Sequence, residues 1–152
     1  MKKILSFTVL TIFVACNPKE PNTPDIPDVN APKSMSYSII STYPHDTSSY
    51  TQGLLFYKGE LYEGTGEKGE SKLMKTDLKT GKALRTMNLD KEYFGEGILI
   101  MNDTVYQLTY QEHKVFMYSL KDFKKINEFP LATEGWGMTT NGKEIIVSDG
   151  SS

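Results

Sequence analysis

The 152-residue chain holds 17 Lys and Arg against 19 Asp and Glu, with 38% hydrophobic and 11% aromatic residues. That is apolar material for one globular domain, and it excludes disorder as the main state. A net charge of -2 offers no basic field for nucleic acid, and a single Cys with two His excludes an internal disulfide framework or a His/Cys zinc centre.

Lys2 and Lys3 precede an apolar run from Ile4 to Ala15. It is too short to span a bilayer as a helix and has the length of a secretion-signal core, so residues 1–15 are expected to be a signal peptide. Phe13-Val14-Ala15-Cys16 resembles a bacterial lipobox, with Phe13 where Leu is usual. Cys16 is the expected lipidated N-terminus; plain signal cleavage with a spare Cys is the alternative. Residues 17–33 are rich in Pro, Asn and Asp with almost no large apolar side chains, the composition of a linker. Together with Cys16 they form a tether (16–33), which predicts a domain over 34–152 held at the membrane of the bacterial cell envelope, periplasmic or anchored at the outer membrane.

The domain repeats. Gln52-Gly53-Leu54-Leu55, Glu96-Gly97-Ile98-Leu99 and Trp136-Gly137-Met138-Thr139 have glycines 44 and 40 residues apart. Each is followed by a turn signal, Lys58-Gly59, Asn102-Asp103 and Asn141-Gly142, and then by a short β-prone run. The first two units continue with Lys72–Leu78 and Lys114–Leu120, which predicts third strands, then a polar turn and a fourth short run. Four short strands per period of 40 to 45 residues, with no sustained helical periodicity, predict an all-β fold, a β-propeller. Residues 34–152 amount to roughly 2.8 such blades, where closed rings use about four to eight. The sequence is therefore expected to be the N-terminal part of a longer propeller with an apolar blade face left uncovered. A strand over Tyr37–Ser41 is expected ahead of the first unit, free to complete the last blade.

In a propeller the starts of the inner strands converge on the central channel. These positions read Gln52, Glu96 and Trp136, with Tyr50, Phe94 and Glu134 two residues earlier. An amide, a carboxylate and several aromatics in one cavity suit a small molecule or a chain terminus. The same residues also fit turn chemistry and blade core. Glu96, between Gly95 and Gly97 and beside Phe94, is the least ordinary, since desolvation there raises a carboxyl into the range useful for proton transfer. His45 and Asp46 are read as turn residues after Pro44, His113 as solvated, and Gly64, Gly66 and Gly69 with Lys68 as a blade turn rather than a phosphate loop, because no helix pattern follows.

Six ordered segments then resemble the plant-type glutaminyl cyclases, or glutamine cyclotransferases: Tyr43–Asp46 with Tyr50–Leu54, Leu61–Gly66, Tyr93–Gly97, Gln107–Thr109, Glu134–Thr139 and Ser148–Ser151. The resemblance implies a five-bladed propeller that converts the N-terminal Gln of a peptide or protein into pyroglutamate with release of ammonia, without metal or organic cofactor. It makes Glu96 the acid/base carboxylate and Gln52, Phe94 and Trp136 pocket residues. Tyr50 stands where the family often has Phe, and Tyr110 where it often has Trp. An amide and a lysine that the family uses to steady the oxyanion fall in later blades, so these 152 residues alone are expected to be inactive and the complete protein a monomer. The rival readings are a non-catalytic envelope propeller that binds peptides or glycans, and a purely structural lipoprotein.

Overall fold

The computed structural model describes residues 34–151. The predicted signal peptide, Cys16 and the linker to Lys33 lie outside the described residues. The chain divides at Ser38–Ile39; residues 34–38 carry no regular secondary structure, and the unit that starts at Ile39 holds every described strand.

Ten strands follow in chain order: β1 (Thr51–Tyr57), β2 (Glu60–Thr65), β3 (Lys72–Thr76), β4 (Ala83–Asn88), β5 (Gly95–Met101), β6 (Thr104–Thr109), β7 (Lys114–Ser119), β8 (Lys125–Pro130), β9 (Gly137–Thr140) and β10 (Ile145–Ser148). They form two antiparallel meanders, β1-β2-β3-β4 and β5-β6-β7-β8, and a β9-β10 hairpin. These are two blades and the first hairpin of a third: the fold is a partial β-propeller, as the repeat predicts.

Local chemistry explains the hairpins. Lys58 and Gly59 both have positive φ (50° and 79°), as do Asn102 and Asp103 (51° and 57°). Such two-residue turns match the right-handed twist of the strands they join. The third strand of each blade ends earlier than predicted, at Thr76 and Ser119. In the first blade Asp77 turns away from the ladder because its Oδ1 accepts hydrogen bonds from the Thr80 amide (2.8 Å) and hydroxyl (2.7 Å). In the second, the Phe123 amide donates to the Ser119 carbonyl (2.8 Å) and Phe123 takes a φ of 58°. The expected strand over Tyr37–Ser41 is absent. An extended segment becomes a strand only when a neighbour satisfies its amides and carbonyls, and among the described residues none pairs with it.

The two blades pack face to face through Tyr62, Leu73, Ile98, Val105, Phe116 and Tyr118, joined by Leu89 and Tyr93 from the connection between blades and Phe123 from a turn. Tyr93 meets Phe116 edge-on, ring centroids 4.9 Å apart. The inner strands β1, β5 and β9 lie side by side. Two polar side chains in this core take equivalent positions in the repeat. Glu63 on β2 is 1% exposed and accepts from the Thr51 hydroxyl (2.5 Å), with His45 Nε2 at 3.0 Å. Its counterpart one period on, Gln107 on β6, donates weakly to the Lys72 carbonyl (3.5 Å). His45 thus has the structural place expected of it, and Asp46 closes the next turn by accepting from Ser48. Leu54, Phe56 and Leu84 of the first blade are exposed.

Phe116 is the centre of the inter-blade cluster, nearly inaccessible and in contact with two other rings. Phe116→Ala is expected to destabilise the fold by about 3–5 kcal/mol, read as a lower urea midpoint with an unchanged slope.

Candidate active site

In the first two inner strands the second side chain is aimed by a local irregularity. In β1, Thr51 pairs with Thr65 and Gly53 with Gly64, which leaves Gln52 unpaired in a bulge. In β5 the ladder skips from Gly95 to Ile98, so Glu96 and Gly97 sit in a longer bulge. Bulges break the alternation of a strand and redirect a side chain. Here they turn Gln52 and Glu96 into one concavity of about 490 Å³, lined by Tyr50, Gln52, Phe94, Glu96, Tyr110, Trp136 and Gly137. Every residue expected to bind substrate or carry acid/base chemistry lines this one cavity.

Its wall is a chain of edge-on aromatics. Tyr50 and Phe94 have centroids 6.2 Å apart at 89°, and Phe94 and Tyr110 5.9 Å apart at 60°. The backbone fixes them by equivalent bonds in successive repeats: the Gly66 amide donates to the Tyr50 carbonyl (2.8 Å) and the Tyr110 amide to the Phe94 carbonyl (3.0 Å). Glycine is required beneath two of the rings. A Cβ on Gly66 falls on the Phe94 ring, and one on Gly150, which has a φ of 76°, comes within 2.6 Å of the Trp136 indole. Residues 66, 110 and 150 lie fourteen positions after Gln52, Glu96 and Trp136 respectively. Tyr110 alone among them carries a side chain.

Trp136 is held at three points. Its carbonyl accepts from the Gly97 amide (3.0 Å), its amide donates to the Ser148 carbonyl (3.0 Å), and its indole Nε1 donates to Glu134 Oε2 (3.0 Å). Glu134 was expected among the converging residues, level with Tyr50 and Phe94, but it does not line the cavity. It stands behind, accepting from Trp136 and from Gln111 Nε2 (3.0 Å), and these two bonds hold its carboxyl below the ordinary range. A carboxylate beside an indole N–H gains more by accepting that bond than by pointing into the mouth. His113 is exposed as expected, though its Nδ1 lies 2.9 Å from the Thr133 carbonyl.

Glu96 is half-buried, and its carboxyl is pushed up to about 7, first by desolvation and then by the negative charge of Glu112. At neutral pH it is therefore poised between acid and base. Glu112 was not legible as a site residue, because Gln111-Glu112-His113-Lys114 reads as a charged, solvated turn. In the fold its side chain is only 15% exposed.

The raised carboxyl makes stability depend on pH with a definite sign. Folded Glu96 holds its proton up to about 7, whereas in the unfolded chain it loses it near the ordinary 4.5, so its contribution falls as pH rises through that window. Glu96→Gln, which mimics the protonated form, is expected to melt a few degrees higher than wild type at pH 8 and at the same temperature at pH 4, checked by thermal scans at both values.

A sequence profile described as glutamine cyclotransferase matches residues 8–152. The glutaminyl-peptide cyclotransferase of Arabidopsis thaliana is 36% identical over 116 residues, which cover 75% of this chain and 36% of the plant protein. The crystal structure of Myxococcus xanthus glutaminyl cyclase superposes with a TM-score of 0.68 at 30% identity, over 74% of this chain and 47% of that one. BamB from Moraxella catarrhalis, with a TM-score of 0.51 at 16% identity over 68% of this chain and 32% of that one, shares the fold alone. The chain thus spans about a third of the length of the plant relative and about half that of the bacterial enzyme. With the match running through both blades and the third hairpin, this chain belongs to the glutamine cyclotransferase family.

Proposed function

We propose that the protein is a glutaminyl-peptide cyclotransferase that converts the N-terminal Gln of a peptide or protein into pyroglutamate and ammonia, with Glu96 as its acid and base. The observation that carries this reading is a carboxyl poised near 7 in a cavity walled by Tyr50, Phe94, Tyr110 and Trp136. The substrate's α-amine titrates near pH 8 and must lose a proton before it can attack. Ionised Glu96 takes that proton. The amine nitrogen then bonds to the side-chain carboxamide carbon, closing a five-membered ring and losing its second proton to water, and Glu96 returns the first proton to the amide nitrogen as its bond to carbon breaks and ammonia leaves. The carboxylate ends as it began, and no electrons are exchanged with a cofactor.

The nucleophile is already tethered to its target, so the pocket's remaining task is to hold the side chain folded back on the amine. Aromatic walls restrict the methylenes of the substrate, and the Gln52 amide offers both a donor and an acceptor to the polar end.

The same proposal includes the envelope location. Lys2 and Lys3, the apolar run to Ala15 and the motif ending in Cys16 support export and acylation of Cys16, with the linker to residue 33 as a spacer at the membrane. Cys16→Ala is expected to abolish incorporation of labelled palmitate and to release the protein from the membrane fraction; unchanged labelling returns Cys16 to an ordinary cleavage-site residue.

In the full-length protein, ammonia release and loss of mass from a peptide that begins with Gln are expected to survive EDTA. Glu96→Gln should lower kcat by about 10²–10⁴ with the fold retained. The rate should decline as pH falls through about 7, because protonated Glu96 cannot accept the ammonium proton. A folded full-length protein without turnover would assign the cavity to peptide or glycan binding.

A further inference from the structure

The cavity has one charged neighbour that the cyclisation scheme does not use. Glu112 lies in the turn between β6 and β7, largely buried, and each of its carboxylate oxygens is engaged. Oε2 accepts from the Phe94 backbone amide (3.3 Å), and Oε1 pairs with Lys68 Nζ (2.9 Å) from the turn between β2 and β3 of the first blade. The carboxylate therefore ties the β6–β7 turn to the segment that carries Phe94 and Glu96, and ties both to the neighbouring blade.

The charges around Glu96 are few. From β1 and the residue before its start come the neutral Gln52 and the phenol of Tyr50; from the end of β6, the phenol of Tyr110; from the third hairpin, the indole of Trp136. Among the described residues Glu112 is the charged group that acts on Glu96, and Lys68 is its ion-pair partner. Lys68 is 61% exposed at its side chain, so it offsets the Glu112 charge only in part.

We propose that Glu112 is a positioning residue of this site: it anchors the Phe94–Glu96 strand start through the Phe94 amide and holds a negative charge against Glu96, with Lys68 as the counter-charge that limits it. This rests on the acid/base role proposed above for Glu96. Two carboxylates near one another repel, and the one without partners takes up the proton more readily; Glu112 has the Phe94 amide and Lys68 against it. The pair thereby keeps the Glu96 carboxyl raised, so one carboxylate does proton transfer and the other sets when it does so. The Lys68 bridge makes this balance a property of the interface between the two blades rather than of either alone.

The test uses the full-length protein labelled with ¹³C at the glutamate carboxyls, the Glu96 resonance being the one lost in Glu96→Gln, followed across pH in three proteins. Relative to wild type, Glu112→Gln, which keeps an acceptor for the Phe94 amide, should move the Glu96 midpoint down toward the ordinary carboxylate range. Lys68→Met, at an exposed side chain, should move it up. A merely structural role predicts shifts of the same sign, or none, from the two substitutions. In parallel, the pH profile of cyclisation by Glu112→Gln should move to lower pH, raising its rate at pH 6 relative to its own plateau by roughly threefold or more. Glu112→Asp, which restores the charge, should return the midpoint toward the wild-type value. A Glu96 midpoint unmoved in both Glu112→Gln and Lys68→Met overturns the inference even if the wild type cyclises its substrate. Opposite shifts in a protein that lacks cyclase activity uphold the coupling and sink the cyclase reading instead.

Discussion

Everything in this fold depends on how closely three inner strands can approach. β1, β5 and β9 stand side by side, and glycine sits at the crossing points: a Cβ on Gly53 would lie 2.6 Å from the Ile98 amide nitrogen, and one on Gly97 2.9 Å from the Trp136 carbonyl oxygen. Backbone contact at those points brings the strand starts within one cavity, and the bulges next to them turn Gln52 and Glu96 inward. Blade packing and site formation are therefore a single event. The same approach that buries Ile98 and Phe116 also withdraws Glu96 from water.

Withdrawal from water is what raises the Glu96 carboxyl. A carboxyl on an open strand would be fully ionised at neutral pH and a poor proton donor. The aromatic wall excludes water, and among the described residues none donates a hydrogen bond to the Glu96 carboxyl, so its anion loses solvation and gains only the repulsion of Glu112. Glu63 shows the contrasting treatment of a buried carboxylate: it is more deeply buried than Glu96, yet the Thr51 hydroxyl and His45 are placed against it. One carboxylate is satisfied and serves the fold; the other is left short of partners at the mouth.

Period and turn chemistry made the blades legible. Lys58-Gly59 and Asn102-Asp103 mark their hairpins by residue type, and aligned glycines mark the inner strands, so the convergence of Gln52, Glu96 and Trp136 could be read from spacing. Legibility failed where side chains choose among partners across the fold. Glu134 occupies the repeat position of Tyr50 and Phe94, but the indole it captures is not visible in the spacing. Glu112 looks like any charged turn residue until Lys68, 44 positions earlier, is brought to it by the packing of one blade on the next. The stretch Tyr37–Ser41 has strand composition and no ladder, because pairing belongs to the neighbour as much as to the segment.

The position fourteen residues after Gln52, Glu96 and Trp136 is Gly66 in the first repeat, Tyr110 in the second and Gly150 in the third. Two are vacant niches into which a ring lies, Phe94 over Gly66 and Trp136 over Gly150; the third supplies a ring of its own. The repeats thus share a backbone and differ in who furnishes the wall, which makes the pocket lopsided although its scaffold is nearly symmetric. An unsymmetrical guest would meet a different wall at each repeat. Asymmetry of the cavity arises here from the omission of two side chains, an economical way for a repeated architecture to acquire a direction.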